Sequence, residues 1–170
     1  MLKIIGIDPG LAATGVGIVT GEGLKVRGYS YGTIRTSANT PLPGRLDSIY
    51  SKLLQILEDE TPALMVVEDI FSVDKFPHSG ITLGKVSGAV MIAGFRAQVP
   101  VVEVAVREAK QVLTGNGNAS KEQLEKAVRH TVGANRPIRP YHASDAIGLA
   151  LIGLFRYGDR QSACRKRRPA

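Results

Sequence analysis

Twice in this chain a short apolar run stops on a carboxylate. Ile4, Ile5 and Ile7 lead to Asp8, and Ala63-Leu64-Met65-Val66-Val67 leads to Glu68-Asp69. Runs of this length and character read as buried strands. Acid at the mouth of a buried strand is costly unless something positive meets it, which makes Asp8 a candidate metal ligand. The plainer reading is an Asp that only opens the Pro9-Gly10 turn behind it, and other acids must join Asp8 to displace that reading. Adjacent strand residues point to opposite faces, so only one of Glu68 and Asp69 can share a site with Asp8.

The elements around these two runs follow from periodicity. Thr14 to Val19 is a second strand, Gly21-Glu22-Gly23 a hairpin turn and Leu24 to Ile34 a third strand, together an antiparallel meander. Ser37 to Gly44 is a loop. Leu46, Ile49, Tyr50, Leu53, Ile56 and Leu57 recur at helical spacing until Thr61-Pro62 stops them. After the second acidic run comes a loop with Phe71, Lys75, Phe76 and His78, then a long helix from Ile81 to Val99. Its Gly80, Gly84 and Gly88 form a smooth face, expected to pack on the sheet rather than on a partner. Val99 to Val106 reads as a strand, Arg107 to Thr114 as a short helix, and Ser120 with Gln123 as a capping box opening a helix to Thr131. Asn135 to Pro140 is a stiff loop. The last helix, His142 to Tyr157, is apolar nearly all round and should be buried. Its polar exceptions, His142 and Asp145, are three residues apart and so share one face, ~4.5 Å apart along the axis. An Asp in a first turn also serves as a simple dipole partner.

With 170 residues, 44% of them hydrophobic, the chain can build one real core, so one folded domain is expected over residues 1–157. A net charge of +7 and a pI near 9.8 point to a polyanionic partner. Part of that charge lies in residues 158–170, where Arg160, Arg165, Lys166, Arg167 and Arg168 face only Asp159. This stretch reads as a disordered basic tail or a nucleic-acid arm. Cys164 is the single cysteine, which excludes a disulfide framework and a cysteine zinc site. Without a long apolar segment, membrane insertion and secretion are not expected, and the protein reads as soluble and intracellular.

An acid closing strand one, an acid closing a later buried strand and a His/Asp pair opening an apolar helix each have a bland explanation. One site of oxygen ligands with a single imidazole explains all three. Such a donor set suits Mg²⁺ or Mn²⁺. Like charges in that number repel unless cations neutralise them, and two divalent ions ~3.5–4 Å apart would also serve in-line phosphoryl chemistry.

The residues then match a family. Gly6-Ile7-Asp8-Pro9-Gly10-Leu11 with Thr14-Gly15, then Val67-Glu68, then His142-Ala143-Ser144-Asp145-Ala146, resemble the RuvC Holliday junction resolvases in motif and spacing. The likeness continues through Leu83-Gly84-Lys85, Lys110-Gln111, Thr114-Gly115-Asn116-Gly117 and Ser120-Lys121, over about residues 2–157. It implies an α/β fold of the ribonuclease-H-like kind, a five-stranded mixed sheet with helices on both faces. It implies a homodimer that nicks opposing strands of four-way junction DNA, leaving 5′-phosphate and 3′-hydroxyl ends. It also implies a RuvA–RuvB branch-migration complex as partner and a bacterial cytoplasmic setting.

By position, the resemblance gives Asp8, Glu68, His142 and Asp145 the catalytic, metal-binding roles, with two Mg²⁺ per subunit and Mn²⁺ as substitute. Phe71 aligns with an aromatic that stacks near the junction centre, and Lys110 and Lys121 with basic residues beside the scissile phosphate. Many relatives carry Asp where this chain has His142. Imidazole ligates metal only when neutral, so activity should fall more steeply below about pH 6.5 than in an all-carboxylate relative. Other readings stay open: a sugar-kinase-like ATPase, for which the chain lacks room for a second lobe, a non-catalytic junction binder, and a nuclease of related fold acting on other branched or hybrid substrates.

Overall fold

The structure is a computed structural model that describes residues 1–69 and 77–165, with residues 77, 78 and 157–165 described by their backbone alone. Five strands form one mixed sheet in the order β3-β2-β1-β4-β5. The strands are β1 (Leu2–Asp8), β2 (Ala13–Glu22), β3 (Lys25–Arg35), β4 (Leu64–Asp69) and β5 (Val101–Ala105). β1 to β3 make the expected antiparallel meander, while β4 and β5 run parallel to β1. A parallel neighbour requires a crossover, supplied by α1 (Leu42–Glu60) before β4 and by α2 (Pro77–Arg96) before β5. Helices α3 (Val106–Thr114), α4 (Lys121–Val132) and α5 (Tyr141–Arg165) complete the chain.

Alternation along the central strands builds two cores. Ile5, Ile7, Met65 and Val67 face α1 and α2, where they meet Ile49, Leu53, Leu57, Val86 and Val90. Ile4, Val19, Leu64 and Val66 face α5, against Ile147, Leu151 and Leu154. Each such side chain, removed from water, contributes about 1.5–3 kcal/mol. The end of α1 is tied back to β1, where Lys3 Nζ donates to the Glu60 carboxylate (2.9 Å) and to the Glu60 carbonyl (2.8 Å).

The glycine face of α2 departs from expectation. Gly84 and Gly88 face open space, and the helix meets the sheet through Val86, Val90, Ala93 and Gly94 instead. The strand expected from Val99 is shorter, since Pro100 precedes its first paired residue, Val101. α5 continues to Arg165, eight residues beyond the Tyr157 at which apolar periodicity ends. Among the described residues, no helix is long and apolar enough to cross a membrane.

Candidate active site

Register puts the two acids together. β1 and β4 run parallel with Ile7 opposite Val67, so the next residues, Asp8 and Glu68, leave the sheet side by side, ~4.8 Å apart along the hydrogen-bonding direction. Of the two acids closing β4, Glu68 is the one that joins Asp8 in lining a cavity. The turn after β1 is braced from three sides. Thr14 Oγ1 donates to the Gly10 carbonyl (2.8 Å), the Thr36 hydroxyl donates to the Leu11 carbonyl, and Arg45 Nε donates to Thr36 Oγ1 (2.8 Å).

α5 reaches the same spot because it lies on bare backbone. A Cβ on Gly15 would collide with the His142 carbonyl, and one on Gly6 with the Ala146 carbonyl. Glycine at both positions lets the first turn of α5 settle over β1 and β2, which delivers His142 and Asp145 to Asp8 and Glu68. α4 holds the approach to that turn. Glu125, only 5% exposed, accepts a hydrogen bond from the Ile138 amide (2.9 Å), and the Tyr141 hydroxyl donates to Glu122 (3.1 Å). Sequence reading missed both contacts, because an acid on an amphipathic helix reads as solvent face. The expected capping box is present, with Ser120 Oγ accepting from the Gln123 amide (3.2 Å) and Gln123 Oε1 from the Ser120 amide (2.8 Å), and it places Lys121 at the start of α4.

A cavity of about 390 Å³ is lined by Asp8, Glu68, His142 and Asp145 together with Lys110 and Lys121. Six of the seven residues singled out from the sequence therefore converge. Phe71 lies outside the described residues. His142 Nδ1 lies 2.6 Å from Asp8 Oδ2, and Asp8 is 6% exposed.

The electrostatics are those of crowded acids. Burial, then the hydrogen bond and negative charge of Asp8 and the charge of Asp145, push Glu68 up to about 9, with Lys121 opposing. Burial and Asp8 push Asp145 to about 6, against Lys121, His142 and Lys110. The hydrogen bond to Asp8 raises His142 above its ordinary value in spite of burial. Without a cation, the cluster accommodates itself by holding protons.

A divalent cation fits these residues. Three carboxylates supply hard oxygen donors, to which the imidazole adds one borderline nitrogen. Asp145 Oδ1 is buried and has no hydrogen-bond partner among the described residues. As they stand, no three His, Cys, Asp or Glu side chains among the described residues are gathered closely enough to hold a metal ion. In the Asp8–His142 pair each side chain spends a ligating atom on the other.

A family model described as Crossover junction endodeoxyribonuclease RuvC matches residues 4–153. The chain belongs to this family.

RuvC relatives align along most of the sequence. The protein named Crossover junction endodeoxyribonuclease RuvC from Prosthecochloris aestuarii is 37% identical over 89% of this chain and 81% of its own length. The protein of the same name from Brevibacillus brevis is 35% identical over 88% and 90%. A structure described as T. thermophilus RuvC in complex with Holliday junction substrate superposes with a TM-score of 0.87 at 32% identity, covering 94% of this chain and 97% of that one. The five-stranded mixed sheet flanked by helices is thus the ribonuclease-H-like fold of RuvC.

Proposed function

We propose that this chain is a structure-selective endodeoxyribonuclease that resolves four-way DNA junctions in recombination and repair. The observation that carries the reading is the convergence of Asp8, Glu68, His142 and Asp145, from β1, β4 and α5, in one cavity with Lys110 and Lys121. Family membership supports it, since RuvC is a family of metal-dependent nucleases.

Asp8, Glu68, His142 and Asp145 would hold the metal, Mg²⁺ with Mn²⁺ as substitute, and two ions suit the number of carboxylates. Bound there, such ions supply Lewis acidity toward a phosphodiester and activate water. Everything else falls to the chain. Lys110 and Lys121 attract the backbone phosphate and offset the charge of the acids, and Lys121 already draws Glu68 and Asp145 toward ionisation. Asp8 orients the imidazole of His142 through Nδ1. Glu122 and Glu125 hold the entry to α5, so that Asp145 stays in register with Glu68. Phe71, three residues past Glu68, would stack on a base at the junction centre.

Paired nicks require two sites, and we assign the second to another copy of this chain. α2 carries an exposed stripe of Ile81, Gly84, Ile92 and Phe95, with half-buried Gly88 between them and Phe95 79% exposed. An apolar stripe of this length fits a copy of itself better than it fits water. A RuvA–RuvB complex is the further partner, the bacterial cytoplasm the setting, and the basic end at residues 158–170 an accessory DNA contact.

The test is cleavage of a synthetic mobile four-way junction with and without Mg²⁺, read on a denaturing gel. Duplex, flap and RNA–DNA hybrid substrates run beside it, with Asp8→Asn as control. Metal-dependent nicks at symmetry-related positions of the junction alone are expected. Cleavage of flap or hybrid in preference to the junction would reject the assignment.

A further inference from the structure

The outer edge of the sheet continues the face on which the acids sit. Asp8 pairs with Gly15, and Gly15 with Thr33, so Thr33 on β3 lies two strands, ~10 Å, from Asp8 and projects to the same side. Alternation puts Arg35, Tyr31 and Tyr29 on that side as well, a row ~20 Å long. Tyr29 and Tyr31 are 38% and 44% exposed, with rings stacked at 6.4 Å between centroids and 3° between planes. At the bulge below them Arg27 is exposed too, as is Arg35 at the end near the active site. β3 carries Lys25, Arg27 and Arg35 and no acid. Cations alone could serve only to guard an edge strand against pairing with another chain. An exposed stacked aromatic pair among them works against such a guard and calls for an occupant.

We propose that this row is a rail for one duplex arm of the DNA, and the proposal rests on the junction-resolving reading above. Charge complementarity decides the occupant. Arginines at both ends and two phenol hydroxyls between them match a phosphodiester backbone, which takes charge-assisted and hydroxyl hydrogen bonds at regular intervals. A protein partner would find too little apolar surface in a row of Arg, Thr and Tyr. Stacking fixes both Tyr rings in advance, so little side-chain freedom is lost on binding. The row runs at right angles to its ~10 Å offset from Asp8, so Tyr29 lies ~17 Å and Arg27 ~22 Å from that acid. At ~3.4 Å per base pair, the row would span roughly the third to sixth phosphates from the cut.

The experiment is a coupling measurement with the full chain and a four-way junction, in the absence of divalent metal. Separate junctions carry uncharged methylphosphonate linkages at those phosphates on one side of the cut or on the other. Affinity is measured for the wild type, for Arg27→Ala/Arg35→Ala and for Tyr29→Ser/Tyr31→Ser, with thermal melting to show that each variant folds. Neutral linkages on one side should weaken the wild type about tenfold and the variants less than about twofold, and the arginine variant should lower the salt slope by about two. Equal losses for wild type and both variants would overturn the rail. A wild type that does not bind the unmodified junction, and does not nick it once Mg²⁺ is added, would overturn the resolvase reading and the rail with it.

Discussion

His142 Nδ1 and Asp8 Oδ2 meet at 2.6 Å, joining the end of the first strand to the first turn of the last helix. The contact raises the affinity of His142 for a proton, and the same proton competes with metal. His142→Asp removes that competition. The acid limb of the pH–rate profile should therefore lie at higher pH in the wild type than in the variant. Rates on a junction from pH 5.5 to 8.5, at one fixed Mg²⁺ concentration below saturation, measure it, and superimposable limbs would dispose of a metal role for the imidazole.

Glu68, Asp145 and His142 all have native pKa values above their unfolded ones, so the native protein binds more protons than the unfolded chain between those values. The metal-free protein should lose stability as pH rises, through about 4–6 for Asp145 and on toward about 9 for Glu68. The slope is on the order of 1 kcal/mol per pH unit while one group is half-way. Metal-free melting temperatures should fall from pH 5 to pH 8, and Glu68→Gln should flatten the fall and raise the value at pH 8. A melting temperature that climbs with pH would contradict the crowded-acid picture.

Mg²⁺ binds the ionised acids, so its stabilising effect should grow over the same pH range in which the metal-free protein weakens. Differential scanning calorimetry with and without Mg²⁺ gives this directly. Asp145→Asn should abolish most of the Mg²⁺-induced shift. It should also cut junction cleavage by more than about a hundredfold, beyond the loss typical of an outer partner of a metal ligand.

Gly15→Ala puts a methyl group into the His142 carbonyl. The helix must shift, at a cost of about 1–3 kcal/mol or more. Activity should fall further than this destabilisation explains, since His142 and Asp145 move with the helix. Urea unfolding and single-turnover cleavage on the same preparation separate the two effects.

Phe95→Glu on the exposed stripe of α2 should leave the fold intact and yield monomers in sedimentation analysis. Paired nicks should then become single ones. An unaltered dimer would move the second site elsewhere.

Much of this molecule is readable in its sequence because its strands are short, apolar and ended by acid or glycine. Ile4 to Asp8 and Leu64 to Asp69 announce both their burial and their exits, and the periodicity of α1 is plain from Leu46 to Leu57. The faces of α2 were not readable. Glycine permits close approach on either side of a helix, and of Gly84, Gly88 and Gly94 it is Gly94, against Met65 and Val101, that uses it toward the sheet. Glu125 was invisible for a different reason. Its partner is a backbone amide thirteen residues on, and no side-chain pattern marks a bond to main chain. Thr36 and Arg45, which brace the turn after Asp8, escape notice likewise, as their contacts exist only once β3 has folded alongside β2.

The bare-backbone seat of α5 has one more consequence. Where the helix crosses Gly6, Gly15 and Gly17, backbone meets backbone, and no side chain there can take up a shift of the helix against the first two strands. Heating should consequently extinguish cleavage and melt the whole molecule at a single temperature, with no warm, folded and idle form in between.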